Sequence, residues 1–131
     1  MPHIWVEYST NLKPEISVPQ LLKTAQDAVI GAGTVFPCAG ARTRGVPVDE
    51  YLIVDGHAAN SFVHVLIKIA AGRSLEEKNR MGDRVFQAIQ SYLAPVFATR
   101  PLGLSVQIEE ADPDTNYKSS HYREHLAARQ R

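Results

Sequence analysis

Two stretches of the chain alternate between apolar and other side chains with a period of two. In residues 3–8 this alternation puts Ile4 and Val6 on one face. Residues 62–70 show it again, with one face made of valine and isoleucine. A period of two is typical of a β-strand, in which successive side chains point to opposite faces. Further extended segments are predicted at residues 39–48, 51–54 and 104–110.

Two longer stretches have the helical spacing of apolar residues, and each follows a serine. Ser17 is a typical N-cap, and we expect this first helix to end at Gly31. The second helix follows Ser74, which forms a capping box with Glu77, and runs until Pro95 ends or kinks it. The order strand–helix–strand therefore occurs twice, with enough chain between the strands of each half for a crossover helix and a parallel pair.

The sequence thus predicts an α+β (α/β-like) fold of two β-α-β units, with two helices packed on one face of a sheet. The opposite sheet face has no partner layer in this arrangement. It includes Phe62, His64, Leu66 and Lys68 if the strand register is right. A half-apolar sheet face without a covering layer suggests association with other copies of the chain.

The composition is that of an ordinary globular protein, with 44% hydrophobic and 21% charged residues among 131. Fourteen basic and 14 acidic residues give zero net charge, which argues against nucleic-acid or membrane-surface binding. The single Cys38 fits a reducing compartment. We therefore expect a cytoplasmic protein with no membrane partner, in which residues 1–131 form one domain and residues 119–131 a polar tail.

Pro2 is the first candidate for chemistry. Removal of Met1 would leave a secondary amine at the start of a strand, and an α-amino group has a reference pKa of about 7.7–8.0. Burial and neighbouring arginines both disfavour the charged form of such an amine, so it could act as a neutral general base. A proline after the initiator methionine also occurs without any function.

Three arginines are candidates for binding an anion. Arg42 and Arg44 lie two positions apart, so their side chains share one face of a strand, within residues 28–48 that contain no acid. Arg73 precedes the helix capped by Ser74, and a helix N-terminus favours anions. Guanidinium groups bind carboxylate or phosphate through two hydrogen bonds. The alternative is that each arginine pairs with an acid elsewhere or faces solvent.

Two other features favour structural interpretations. Residues 121–125 match the H-x-x-E-H pattern of some zinc sites, but little chain follows to supply a third ligand. We expect a solvated tail there and no metal. Cys38 has no neighbouring histidine or aspartate, and we interpret it as a small buried residue at a strand start rather than a nucleophile.

Several segments, in order and with matching spacing from Pro2 to about Lys118, carry a resemblance to a known family. These are Pro2-His3, residues 36–44 (FPCAGARTR), 62–64 (FVH), 68–76 (KIAAGRSLE), 104–110 (LSVQIEE) and 116–118 (NYK). Together they resemble the 5-carboxymethyl-2-hydroxymuconate isomerase family, which belongs to the tautomerase superfamily with a catalytic N-terminal proline.

The resemblance implies a homotrimer of the tautomerase fold that needs no cofactor. It implies that Pro2 transfers the proton that converts the dienol 5-carboxymethyl-2-hydroxymuconate to its 2-oxo isomer, in homoprotocatechuate degradation. Arg42, with Arg44 and Arg73 as further candidates, would hold the carboxylates of this small polycarboxylate substrate. Phe36 would line the apolar part of the pocket. Two alternatives remain: a promiscuous tautomerase of phenylpyruvate-like enols, and a non-catalytic trimeric binding module of the same fold.

Overall fold

The computed structural model describes residues 2–33 and 38–130. Within these ranges four strands form one mixed sheet in the order β2-β1-β3-β4. The pairs β1–β2 and β3–β4 are parallel, whereas the central β1–β3 pair is antiparallel. This confirms the predicted pair of β-α-β units, which meet along the antiparallel central strands. The strands are β1 (His3–Ser9), β2 (Arg42–Val48), β3 (Ser61–Ala70) and β4 (Leu102–Ala111).

The helices predicted from apolar spacing are both present. They are α1 (Val18–Ile30) and α2 (Leu75–Tyr92), followed by the short α3 (Ala94–Phe97) and by α4 (Tyr122–Arg129) in the tail. Pro95 lies in the first turn of α3, so the chain resumes a helical path after α2 ends. No helix among the described residues is both long enough and apolar enough to span a membrane.

Serine side chains start the two long helices as predicted. Ser17 Oγ accepts a hydrogen bond from the Gln20 N–H in α1. Before α2, Ser74 Oγ accepts from the Glu77 N–H at 3.1 Å, and the Glu77 carboxylate accepts from the Ser74 N–H at 3.0 Å. This reciprocal pair is the predicted capping box, and it fixes where the chain turns from β3 into α2.

The core lies between one face of the sheet and the two long helices. Every second residue of β3 is buried, in agreement with the predicted alternation. Because β1 and β3 pair antiparallel, Ile4 lies opposite Ile67 and Val6 opposite Val65, and all four side chains are buried. Leu21 and Val29 of α1, and Met81, Val85 and Ile89 of α2, complete the buried layer.

Residues 51–54 are not a strand, so that prediction is wrong. Leu52 and Val54 are 85% and 93% exposed, and neither lies in the sheet. The apolar run leads into a turn, in which the Gly56 N–H donates to the Ile53 carbonyl at 2.9 Å and Gly56 has a φ of 80°. An apolar run forms a strand only if it finds a strand to pair with, and the Asp55-Gly56 turn draws this segment away from the sheet.

The other face of the sheet carries the residues that the strand alternation predicted for it. Phe62, His64, Leu66 and Lys68 alternate with the buried residues of β3 and are only half-buried. Trp5 of β1 pairs with Leu66, and it also belongs to this face. The register of β1 with β2 adds Arg42 and Arg44 to the same face. This uncovered sheet face therefore combines apolar and cationic side chains.

Candidate active site

Pro2 lies beside Arg42 at one end of the sheet. The Arg42 N–H donates to the Pro2 carbonyl at 3.0 Å, and the next residue, His3, pairs with Arg42 across β1 and β2. His3 also pairs with Lys68, near the end of β3. Since β1 is parallel to β2 and antiparallel to β3, the starts of two strands and the end of a third meet here. Pro2 itself is buried.

The guanidinium group of Arg42 is held from two sides. Its Nη1 donates to the Gly40 carbonyl at 3.1 Å, in the turn that precedes β2. Its Cζ lies 5.0 Å from the centre of the Tyr122 ring, at the start of α4. This distance is within the range of a cation–π interaction. One main-chain hydrogen bond and one aromatic ring thus position Arg42 without neutralising its charge.

Arg44 is likewise held by an aromatic ring and a hydrogen bond, both from the neighbouring strand β1. Its Cζ lies 4.3 Å from the centre of the Trp5 ring, and its Nη2 lies 2.8 Å from Nδ1 of His3. A guanidinium group only donates hydrogen bonds, so Nδ1 of His3 accepts and the ring is the neutral tautomer protonated at Nε2. Burial, followed by the charges of Arg44 and Arg42, lowers the pKa of His3 below its ordinary value.

These two arginines are not neutralised by acidic side chains within the described residues. The ion pairs found there involve other cations, at Lys23, Lys68, Lys78, Arg80 and Arg100. The alternative that Arg42 and Arg44 pair with acids elsewhere in the chain is therefore not supported. Stacking on a ring covers one face of a guanidinium plane and leaves N–H groups at its edge for an anion.

Arg73 lies at the same end of the sheet but in different surroundings. Its Nη1 donates to the Ala70 carbonyl at 3.1 Å, directly after β3. Its charge also contributes to lowering the pKa values of Glu77 and Glu110, whose main causes are the Ser74 backbone N–H and Lys78 respectively. Arg73 is thus associated with the N-terminus of α2 and with β4, whereas Arg42 and Arg44 lie on β2.

A small cavity adjoins this end of the sheet. It has a volume of about 100 Å³ and is lined in part by His3, Lys68, Asn116 and Lys118. Two lysines, an imidazole and an amide make it suitable for a small anion. A larger open groove of about 630 Å³ lies between α2 and β4, and it is lined by Leu75, Phe86 and Ile108 among others. It includes none of the predicted site residues.

The other residues that the sequence singled out are Phe36, Cys38 and the histidines of the tail. Phe36 lies outside the described residues. Cys38 begins a 3₁₀ turn, Cys38–Gly40, and not a strand. His121 directly precedes α4, and its ring contacts that of His125 edge-on at 4.8 Å. Within residues 2–33 and 38–130, no group of three or more histidine, cysteine, aspartate or glutamate side chains could hold a metal ion.

Sequence reasoning missed the rings that hold the arginines. Trp5 and His3 share a strand face by the period of two, and this signal was visible in the sequence. Their placement against Arg44 depends on the β1–β2 register, which the sequence alone does not specify. Tyr122 lies in the segment expected to be a solvated tail, where no periodicity indicates a contact with Arg42.

This chain is similar over nearly its whole length to proteins of known function. The model of the 5-carboxymethyl-2-hydroxymuconate isomerase family matches residues 2–126. The curated 5-carboxymethyl-2-hydroxymuconate Delta-isomerase of Escherichia coli is 38% identical over 120 residues, which are 92% of this chain and 94% of that protein. A solved 5-carboxymethyl-2-hydroxymuconate isomerase from Deinococcus radiodurans R1 has a TM-score of 0.89 and 34% identity, covering 99% of this chain and 94% of that chain.

A fused 4-OT described as a symmetric trimer shares the fold, with a TM-score of 0.66 and 21% identity, covering 91% of this chain and 92% of that chain. The fold is thus that of the tautomerase superfamily, an α+β fold as predicted. The chain belongs to the 5-carboxymethyl-2-hydroxymuconate isomerase family and is an isomerase. The family assignment supports an enzyme rather than a non-catalytic binding module.

Proposed function

We propose that the protein converts 5-carboxymethyl-2-hydroxymuconate to its 2-oxo isomer, with Pro2 as the group that moves the proton. The observation that carries this proposal is the position of Pro2, buried at the start of β1 and hydrogen-bonded through its carbonyl to Arg42. A polycarboxylate dienol needs a base and cationic groups close together. This sheet end offers both once Met1 has been removed.

The proposed reaction moves one proton along a conjugated system. The Pro2 nitrogen takes the proton of the 2-hydroxyl group, the C2–O bond becomes a carbonyl, and the double bonds shift toward the far end. The protonated nitrogen then returns a proton to the carbon at that end, which restores the neutral amine and needs no cofactor. Burial and the nearby guanidinium groups disfavour a charged amine, so Pro2 begins the cycle as a base.

In the proposed mechanism the arginines provide electrostatic stabilisation. Arg42 and Arg44 bind substrate carboxylates and stabilise the negative charge that develops when the hydroxyl proton leaves. Arg73, at the end of β3, is proposed for a further carboxylate. Phe36 is proposed to line the apolar part of the pocket.

We further propose that the working molecule is a homotrimer in which the sheets surround a central axis. Half-buried Phe62 and Leu66 on the uncovered sheet face support association, because a monomer would leave them in water. A fused 4-OT of the same fold is described as a symmetric trimer, which supports a trimeric assembly. Localisation in the cytoplasm stays a prediction from the single cysteine.

The test combines an intact mass with a rate measurement. The mass of the purified protein should equal that of the chain without Met1. The disappearance of the dienol should then slow by about 10²-fold or more in Pro2→Ala, because general acid–base catalysis by a positioned group contributes that much. Pro19→Ala, in the first turn of α1, is the control and should retain the wild-type rate. Equal rates for Pro2→Ala and wild type would exclude the proline mechanism.

The same assay separates this reaction from tautomerisation of phenylpyruvate-like enols. A site with several cations should favour a substrate with several carboxylates, so kcat/KM should be higher for the muconate dienol than for the monocarboxylate enol. The reverse order would indicate the promiscuous tautomerase.

A further inference from the structure

The tail helix α4 has few contacts with the rest of the protein. None of its residues is buried, and only Leu126 is half-buried. It lies against the turn Cys38–Gly40. Tyr122, its first residue, is 52% exposed and places its ring against the Arg42 guanidinium at 5.0 Å. Within one protomer, burial of apolar surface therefore does not explain where α4 lies, whereas its first residue contacts Arg42.

We propose that Tyr122 is a positioning residue for Arg42, and that α4 places this ring where Arg42 binds a substrate carboxylate. The proposal rests on the proposed function, since it assumes that Arg42 contacts the substrate. The Gly40 carbonyl uses one N–H of Nη1, and the Tyr122 ring covers the guanidinium from another direction. The remaining N–H groups are then held ready for a carboxylate.

Two physical effects make this contact useful for binding. A free arginine side chain has many rotamers, and binding an anion would have to restrict them. A guanidinium already stacked on a ring loses less freedom when the substrate binds. The ring also shields one side of the cation from water, which strengthens its attraction for an anion.

The neighbours of Tyr122 support this role. The His121 ring lies 6.4 Å from the Tyr122 ring, at an interplanar angle of only 7°. The Tyr122 N–H also donates to Ser120 Oγ. The phenol ring thus has a parallel imidazole as well as the guanidinium among its neighbours.

The test separates the ring from the hydroxyl group. Tyr122→Leu and Tyr122→Ala remove the cation–π contact, whereas Tyr122→Phe keeps it. In the first two variants we expect the KM of the dienol to rise by about 2- to 5-fold, the range given by a partly exposed cation–π contact, with kcat much less affected. Tyr122→Phe should retain the wild-type KM. Arg129→Ala, in the last turn of α4, is the control for any general change in this helix.

Combination with Arg42→Ala shows whether Tyr122 acts through Arg42. In that background, Tyr122→Leu should produce no further rise in KM. An additive rise, or equal KM values for Tyr122→Phe and Tyr122→Leu, would overturn the positioning role. An unchanged kcat/KM in Arg42→Ala alone would instead remove Arg42 from the site, so failure of the proposed function is recognised separately. Equal thermal unfolding midpoints would confirm that the variants are folded.

Discussion

Nδ1 of His3 lies 2.8 Å from Nη2 of Arg44, across the parallel pair β1–β2. The imidazole accepts this hydrogen bond and is therefore neutral, and its pKa is lowered by burial, by Arg44 and by Arg42. Protonation of His3 would break the contact and place a third positive charge beside two arginines. The residue after the proposed catalytic proline thus couples the stability of this sheet end to pH.

This contact predicts that the protein loses stability in mild acid. The unfolded chain protonates His3 near its ordinary pKa of 6.5, whereas the folded protein does so only at a lower pH. The contribution of His3 to the free energy of unfolding is complete above pH 6.5 and falls as the pH drops through the interval between the two pKa values. It levels off below the pKa of His3 in the folded protein. Urea unfolding at several pH values between about 8 and about 5 measures how the free energy of unfolding changes.

The matched variant is His3→Asn, whose amide oxygen can still accept from Arg44 but cannot titrate. We expect its free energy of unfolding to change less across this pH interval than that of the wild type. The same pH dependence in both proteins would show that His3 is not the responsible group.

A second prediction concerns Arg42 and the substrate. Arg42→Ala should lower kcat/KM, because it removes transition-state stabilisation of about 2 kcal/mol, the value of a charge-assisted hydrogen bond. Arg80→Ala is the control, because Arg80 is exposed on α2 and forms an ion pair with Glu76 there at 3.1 Å. Steady-state rates on the dienol measure both. An equal effect of the two substitutions would mean that Arg42 acts only through the overall charge of the protein.

Much of the fold could be predicted from local sequence signals. The alternation in β1 and β3 and the caps at Ser17 and Ser74 specified strands, helices and the buried face. These signals act within a few residues, so a single sequence contains them. The segment at residues 51–54 shows their limit, because its apolar run matches a strand but finds no strand to pair with.

The candidate site was predictable only in part, because it depends on contacts between distant segments. Spacing placed Arg42 and Arg44 on one strand face, and the family resemblance selected Pro2. The register that brings His3 and Trp5 to Arg44 joins residues far apart in the chain, and the same holds for Tyr122 and Arg42. No periodicity predicts such contacts.

A third prediction tests the capping box of α2. Ser74→Ala removes the oxygen that accepts from the Glu77 N–H, and it should lower the free energy of unfolding by about 1 kcal/mol. Ser91→Ala, at an exposed position near the end of the same helix, should leave stability nearly unchanged. Urea unfolding of both variants at neutral pH measures the difference. Equal stabilities would indicate that solvent replaces the cap without cost.

The same capping box predicts an effect of acid. The Ser74 backbone N–H lowers the pKa of Glu77 from its ordinary 4.5, so this carboxylate stabilises the fold above that value. The contribution is lost as pH falls through the lowered pKa of the folded protein. Glu77→Gln should therefore lose less stability on acidification than the wild type, when both are followed by urea unfolding. A parallel loss in both proteins would contradict this assignment.

The last prediction concerns the uncovered sheet face. If sheets from three copies surround a common axis, the half-buried Leu66 lies against other subunits, and Leu66→Glu would have to take a charge out of water there. Light scattering during size-exclusion chromatography should then show a monomer for this variant and a trimer for the wild type. Gln90→Glu adds the same charge at an exposed position of α2 and should remain trimeric. A trimeric Leu66→Glu would indicate that the subunit contacts lie elsewhere, because removing a carboxylate from water at a contact between sheets opposes association.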